Sequence, residues 1–230
     1  VGAGIQMGPN VTRTLHAWGL AEDLKAIGFA PRKLEAKDTQ TGQVIGSLPL
    51  GQRSLDTYGA PYVTVHRADL HRVLLQKLMR SGLAQLHLDS EVEAVQQAAD
   101  GIQSSGANLP ASLTKFSQFS AMVGADGLWS ATRQFVVPPT TPRVTGLLAY
   151  RALLPMQFLP EKLRLQDVNV WLGPRLHAVL YPVQCGECLN LVVVVQGLPP
   201  ENLNDWDHAG NKEELVRAMG PIHADLRDML

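Results

Sequence analysis

Three places where a helical pattern begins carry glycine or polar residues, and they limit the fold more than any other feature of the sequence. The segments are "GAGIQMGPN" from Gly2, "HRADL" from His66 and "GADGLWSATR" from Gly124. Junctions of this kind gather at one edge of an open α/β sheet, where nucleotides bind beyond the carboxyl ends of the strands. The free N–H groups and positive dipole of a helix start suit phosphate. The sequence therefore predicts an α/β fold with a nucleotide-type site.

Length and charge are those of an ordinary globular chain, with 230 residues, 45% hydrophobic residues and a formal net charge of -1. At this size a folded chain buries roughly 70% of its unfolded surface. There is no basic surplus for nucleic acid, and no apolar run approaches the roughly 20 residues that span a bilayer. We therefore expect neither nucleic acid nor a membrane as a partner. Two cysteines, Cys185 and Cys188, are typical of the reducing cytoplasm.

Hydrophobic spacing predicts mixed helices and strands up to about residue 140 and mostly strands after it. A helix is expected to begin at Pro9, and two strands to flank the turn at Thr41 and Gly42. Residues 50–61 are interpreted as loop, and residues 119–127 as a buried strand that enters a glycine turn. Later strands are predicted at 144–154, 168–173, 176–183 and 189–197, with helical spacing from about Asn211.

The three junctions, in their order and approximate spacing, resemble segments of the class A FAD-dependent aromatic monooxygenases. The matching stretches are "VGAGIQMGPN", "VHRADLHRVL" and "GADGLWSATR". The later "HAVLYP" and "LNLVVVV" are similar to the strands of that family's substrate domain. The resemblance covers nearly the whole chain, and its combination of motifs is specific to the family. "GAGIQMG" alone would be weak evidence, because the dinucleotide motif G-x-G-x-x-G follows a strand.

The resemblance implies a partial Rossmann-like FAD-binding domain with an interleaved, mainly β substrate-binding domain. The expected boundaries are 1–140 for the FAD-binding domain, with 29–61 as an excursion toward the substrate side. Residues 141–205 are the expected substrate sheet, and 206–230 the start of a helical segment. In the family a strand with a G-x-G-x-x-G turn precedes "GAGIQ", and a Gly-Asp motif follows much later. Neither motif occurs in this sequence, so we expect a piece of a longer protein.

The resemblance also implies FAD as cofactor, NADH or NADPH as co-substrate, O2, and an aromatic substrate. It assigns cofactor binding to eight residues, namely Val1, Gly2, Ala3, Gly4, Gln6, Arg67, Asp126 and Gly127. Glycine lets a backbone approach a flat ring closely, because it has no Cβ. For Arg67 the alternative is a surface ion pair with Asp69. For Asp126 the alternative is a turn in which the carboxylate binds its own loop.

His177 and Tyr181 are the candidate catalytic residues. An even separation in a strand places both on one face of the sheet. A His and a Tyr facing one cavity can bind a phenol oxygen, and an imidazole can share its proton and favour the phenolate. The resemblance supports this role, because related hydroxylases carry this pair at this spacing against the substrate. A purely structural pair is the alternative. No metal site is expected at Cys185 and Cys188, which lack a second ligand pair.

The implied activity of the parent protein is hydroxylation of a phenolic or heteroaromatic acid. Two alternatives stay open, a non-catalytic segment of this fold and a non-hydroxylating FAD oxidoreductase on the same scaffold. A plain nicotinamide dehydrogenase would need an intact G-x-G-x-x-G after a strand, and the sequence has none. The choice of aromatic substrate and of NADH or NADPH is open. So is the oligomeric state, with a homodimer as one arrangement to be tested.

Overall fold

The computed structural model describes residues 3–98, 101–110, 119–138, 140–198 and 209–230. The chain divides into two compact units, Val1–Lys77 with Thr145–Leu230 and, separately, Leu78–Val144. None of the helices in the described residues has the length and apolar character needed to cross a bilayer.

The described residues contain strands and helices in alternation along the first half of the chain. The strands are β1 (Gly4–Met7), β2 (Gly28–Phe29), β3 (Lys33–Asp38), β4 (Val44–Pro49), β5 (Val63–His66), β6 (Ala94–Ala98), β7 (Gly101–Ser105), β8 (Leu147–Pro155), β9 (Val168–Gly173), β10 (Leu176–Val183) and β11 (Cys188–Gln196). The α-helices are α1 (Pro9–Ala17), α2 (Ala21–Ile27), α3 (Gly51–Tyr58), α4 (Arg67–Arg80), α5 (Lys212–Met219) and α6 (Ala224–Arg227). This mixture is the predicted α/β class.

The larger unit is built on two sheets. The first has the order β1-β5-β2, and the second has the order β4-β3-β9-β10-β11-β8. Within the second sheet β3 pairs with β9 in parallel, and the other neighbours are antiparallel. The two sheets are joined where the Thr64 hydroxyl of β5 donates to the carbonyl oxygen of Pro182 in β10, over 2.5 Å.

The main core lies on one face of the six-stranded sheet. Leu176, Ala178 and Leu180 of β10 are buried there with Trp171 of β9. Buried side chains of α5 and α6 belong to the same cluster, including Leu215, Met219 and Leu226. Alternate residues of a strand point to opposite faces, so this core leaves His177, Val179 and Tyr181 on the other face. The predicted alternation of β10 is confirmed.

The smaller unit contains a two-stranded sheet, in which β6 pairs with β7 in antiparallel fashion. The predicted buried strand at residues 119–127 is wrong. Only Phe119 forms a bridge, with Ile102, and the side chain of Val123 is 88% exposed. A strand needs a neighbour for its backbone groups, and no named strand of the described residues pairs with this segment.

Two further local predictions differ from the structure. Residues 51–58 form α3 instead of loop, and the helix ends at Gly59, whose φ of 70° lies in the left-handed region. Only Ser54 of this helix is buried, so its sequence lacks the apolar stripe that marks a helix. Residues 4–7 form β1, although the glycine-rich start of the sequence reads as a loop. The helix at Pro9 and the strands around Thr41 and Gly42 are confirmed.

Candidate functional site

Gly4 lies directly against the aromatic ring of Tyr181. A Cβ at position 4 would stand 2.6 Å from Cε2 and 2.8 Å from the hydroxyl oxygen of Tyr181. Real Cβ atoms do not approach other atoms this closely, so only glycine fits here. Its N–H donates to Oδ1 of Asn190 over 2.7 Å. The close contact at Gly4 is therefore made to a side chain of the six-stranded sheet, and the approach of this backbone to a flavin ring stays a prediction.

Asn190 stands directly opposite Tyr181 in the pairing of β10 with β11. It is 1% exposed, and its Nδ2 has no hydrogen-bond partner among the described residues. Asn190 is not among the site residues predicted from the sequence. The available signal was a lone amide within the apolar run "LNLVVVV", because a polar group buried in such a run requires a partner.

Gln6 joins Tyr181 to a second tyrosine. The hydroxyl of Tyr62 donates to Oε1 of Gln6 over 2.5 Å. Burial raises the pKa of Tyr181 to about 12, and the nearby Tyr62 acts in the same direction. A hydrogen bond from the Gln6 side chain and the charge of Arg151 lower that pKa by smaller amounts. Tyr181 is therefore a neutral phenol near neutral pH, able to donate a hydrogen bond but not to act as a base.

His177 shares the sheet face of Tyr181 but has different surroundings. Tyr181 is 4% exposed beneath β1, whereas His177 is exposed at the other end of the strand. Four residues of extended strand separate their Cα atoms by about 13 Å. Val179 lies between them and is only partly buried, as are Val192 and Val194 of β11. The face thus has an apolar centre with an imidazole at one end and a buried phenol at the other.

Arg67 is the first residue of α4, directly after β5. Its backbone N–H donates to the carbonyl oxygen of Ala3 over 3.0 Å, which places it beside the start of β1. Asp69 pairs with Arg72 at 2.9 Å, and this hydrogen bond holds the pKa of the carboxyl below its usual range. The alternative ion pair between Arg67 and Asp69 is therefore wrong. The exposed guanidinium of Arg67 has no partner in the described part of the chain.

The loop around Asp126 belongs to the smaller unit and is held by hydrogen bonds between its own residues. The carboxylate accepts hydrogen bonds from the Ser130 hydroxyl at 2.6 Å and from the Thr132 N–H at 3.0 Å. These bonds hold the pKa of Asp126 far below its usual range. Arg133 donates to the carbonyl oxygen of Gly127, whose φ is 77°. The structure therefore contains the self-binding turn that was the alternative for Asp126. Cofactor binding by Asp126 and Gly127 stays a prediction.

This loop borders a cavity of about 480 Å³ within the smaller unit. Asp126, Gly127, Ser130 and Arg133 line it together with apolar side chains of β6, β7 and the turn, including Val95, Ile102 and Phe135. The mixture of a carboxylate, hydroxyls and apolar walls can accept a small polar organic group.

Two of the predicted cofactor-binding residues, Val1 and Gly2, lie outside the described residues. Cys185 and Cys188 are free thiols, with Cys185 in the turn between β10 and β11 and Cys188 at the first position of β11. Across the described ranges no group of three or more His, Cys, Asp or Glu residues could hold a metal ion.

The chain is similar in sequence to several curated aromatic monooxygenases, although no family model matches it. It is 35% identical to 3-hydroxybenzoate 6-hydroxylase 1 of Aquipseudomonas alcaligenes over 84% of this chain and 48% of that protein. It is 35% identical to 3-amino-4-hydroxybenzoate 2-monooxygenase of Streptomyces cremeus over 99% of this chain and 54% of that protein. It is 31% identical to 6-hydroxynicotinate 3-monooxygenase of Pseudomonas fluorescens over 100% of this chain and 58% of that protein. The chain spans about half the length of these relatives.

Solved structures show the same fold. Klebsiella pneumoniae HpxO complexed with FAD and uric acid matches with a TM-score of 0.80 at 20% identity, over 100% of this chain and 55% of that one. A salicylate hydroxylase substrate complex matches with a TM-score of 0.74 at 17% identity, over 99% of this chain and 57% of that one. The predicted α/β fold is confirmed by this likeness, and the assignment of the six-stranded sheet to the substrate stays a prediction.

Proposed function

Since this chain belongs to the class A FAD-dependent aromatic monooxygenases, being homologous to about half of the length of the relatives named above, we propose that the protein containing it hydroxylates a phenolic or heteroaromatic acid. FAD is the cofactor, NADH or NADPH the reductant and O2 the oxidant in this proposal. Relatives named above act, by their names, on hydroxybenzoates and on a hydroxynicotinate. Each such substrate carries a hydroxyl and a carboxylate on one aromatic ring.

One observation carries the proposal, namely the sheet face that holds His177 and Tyr181. Its centre is apolar, its two polar groups suit a phenol oxygen, and β1 closes one end through Gly4. Pockets for small molecules combine these parts, a mostly apolar lining with a few placed polar groups. An aromatic ring on the valines would bring its hydroxyl to His177.

FAD fits the chemistry of the groups at the start of β1. Arg67 offers a guanidinium with several donors and no partner among the described residues, beside the backbone of Ala3. Such a group suits the oxygens of a phosphate or a polyol. We assign the backbone of Val1, Gly2, Ala3 and Gly4 to the flavin, and Asp126 and Gly127 on their motif alone. When bound, FAD supplies electron transfer from NAD(P)H and the activation of O2.

His177 is assigned the phenolic proton. Its imidazole is exposed on the open part of the face, where a ring nitrogen can accept the proton of a substrate hydroxyl. Removal of that proton leaves a phenolate, whose ring is richer in electrons and reacts more readily with an electrophilic oxygen. His177 therefore acts as a general base on the substrate hydroxyl.

Tyr181 is assigned the role of a hydrogen-bond donor. Tyr62 donates to the carbonyl oxygen of Gln6, which leaves the Gln6 amide to donate to the oxygen of Tyr181. With its oxygen thus engaged as acceptor, the Tyr181 hydroxyl proton is free to be donated to a ligand on this face. The raised pKa of about 12 keeps this proton in place. The hydrogen bonds therefore run in one direction, with Tyr62 donating to Gln6 and Gln6 donating to Tyr181.

Flavin retention and product formation test the proposal. The protein containing this chain is purified, incubated with FAD, passed through a gel-filtration column, and assayed with NADH or NADPH and a panel of hydroxybenzoates. The proposal expects flavin to co-elute and the product to gain one oxygen atom, with 18O incorporated from 18O2. Flavin without hydroxylation would favour the non-hydroxylating oxidoreductase, and loss of all flavin would favour the non-catalytic segment.

We also infer a cytoplasmic location from the thiols. Cys185 and Cys188 are close in sequence yet free, and free thiols are typical of a reducing compartment. Fractionation of the host cell tests this inference, which expects the protein in the cytosolic fraction.

A further inference from the structure

Arg151 lies on the same sheet face as His177 and Tyr181. It pairs with Val192 of β11, and Val192 pairs with Val179 of β10. The three residues therefore form one row across three strands, with Val179 midway between His177 and Tyr181. Neighbouring strands are about 4.8 Å apart, so the Cα atoms of Arg151 and Val179 are about 10 Å apart. An arginine side chain can cover much of that distance.

The guanidinium of Arg151 is available for a ligand. Its residue is exposed on the edge strand β8, and it has neither a hydrogen bond nor an ion pair with any of the described residues. The positive charge of Arg151 lowers the pKa of Tyr181, which lies two strands away. The side chain is thus close enough to this face to act on groups bound there. Among the described strand positions on this face, Arg151 is the one lysine or arginine.

The surface between Arg151 and His177 is apolar. Val192 and Val194 separate the two residues, and both valines are partly exposed. A planar ring can lie on these side chains with one polar substituent at each end. A guanidinium is matched best by a carboxylate, which it binds through two parallel hydrogen bonds. The opposite end, at His177, suits a hydroxyl.

We propose that Arg151 binds the carboxylate of the aromatic acid while His177 binds its hydroxyl, so that Arg151 selects acids over neutral phenols. This inference rests on the proposed function and adds the orientation of the substrate on the sheet. The ring lies across β11, its carboxylate toward β8 and its hydroxyl toward β10. Arg151 is a specificity-determining residue in this arrangement and takes no part in proton transfer.

Equilibrium dialysis of matched ligand pairs tests the assignment. The FAD-loaded protein is dialysed against 3-hydroxybenzoate, 4-hydroxybenzoate and 6-hydroxynicotinate, each beside its neutral carboxamide. Arg151→Met should weaken binding of the preferred acid roughly 10- to 100-fold, the usual loss for a hydrogen bond to a charged group. Binding of the carboxamide should change less than twofold. Arg151→Lys should restore part of the affinity for the acid.

Arg143→Met removes another exposed arginine outside this sheet and should leave both affinities unchanged. If Arg151→Met weakens binding of the acid and of the carboxamide equally, or leaves the affinity for the acid unchanged, the assignment of Arg151 is overturned. The proposed function is not affected by either result. If the parent protein retains FAD but binds none of the acids, the proposed function fails, and the assignment fails with it. Circular dichroism and flavin content confirm that each variant is folded.

Discussion

The backbone N–H of Gly4 donates to Oδ1 of Asn190 over 2.7 Å, across 186 residues of sequence. This bond attaches β1, the first strand of the small sheet, to β11 of the six-stranded sheet. Asn190 is in turn opposite Tyr181, whose ring fills the space where a side chain at position 4 would be. The segment assigned to the flavin and the face assigned to the substrate are thus held together by one hydrogen bond and one ring contact.

Replacement of Gly4 should test this attachment. In Gly4→Ala the new methyl group would meet both the Tyr181 ring and the Asn190 amide closer than 3.0 Å. Overpacking of a buried site lowers the free energy of unfolding by about 1–3 kcal/mol, which urea denaturation measures. Gly46→Ala is the control, because no atom lies within 4 Å of its Cβ. Equal stability of the two variants would mean that β1 is not held against Tyr181.

Tyr181 should make the protein sensitive to alkali. Its pKa in the folded state is about 12, above the usual value of 10. The folded state therefore retains a proton that the unfolded state loses between pH 10 and 12, and stability falls as the pH rises through this window. Urea denaturation at pH 9, 10 and 11 should show a smaller decline for Tyr181→Phe than for the parent. Tyr58→Phe, at an exposed tyrosine, should decline like the parent. A parent protein with constant stability over this range would contradict the buried phenol.

Arg67→Ala should weaken the retention of FAD, because it removes the unpaired guanidinium beside Ala3. We expect the dissociation constant for FAD to rise roughly tenfold or more, as for other hydrogen bonds to charged groups. Flavin fluorescence titration measures the constant. Arg72→Ala is the matched control, since Arg72 is already paired with Asp69. If the two variants hold FAD equally, Arg67 has no role in cofactor binding.

Asp126 should govern the order of its own loop. In the ionised form its carboxylate accepts the N–H of Thr132 at 3.0 Å, and this bond helps to keep its pKa low. Because the folded pKa lies below the usual value near 4, this contribution is present above that value and is lost on strong acidification. Amide hydrogen exchange at Thr132 should accelerate in Asp126→Ala at pH 7. An unchanged exchange rate at Thr132 would mean that the hydrogen bond from its N–H to Asp126 does not order this loop.

The periodic parts of the fold could be predicted from the sequence. The two-residue period of β10 separates Leu176, Ala178 and Leu180 from His177 and Tyr181, and the structure places the first three in the core. Pro9 marks the start of a helix in the predicted position. Patterns of this kind depend only on residues near one another in the chain.

The contacts that build the site could not be predicted in this way. Tyr62 and Gln6 are 56 residues apart, and Asn190 and Gly4 are 186 apart, so no local pattern links either pair. Arg151 was not selected because an arginine in an edge strand is ordinary at a surface. Only the pairing of β8 with β11 and β10 shows that it shares a face with His177. The helix α3 was missed for a different reason, the lack of an apolar stripe.

The coupling of NAD(P)H oxidation to hydroxylation in His177→Ala tests the central claim most directly. The ratio of hydroxylated product to NAD(P)H consumed is measured for the parent protein, for His177→Ala and for the control His87→Ala, an exposed histidine of the smaller unit. If His177 binds the phenolic oxygen and takes its proton, the ratio should fall several-fold in His177→Ala alone, with the deficit appearing as hydrogen peroxide. A ratio and a substrate affinity equal to those of the parent would contradict the assignment of this sheet face to the substrate.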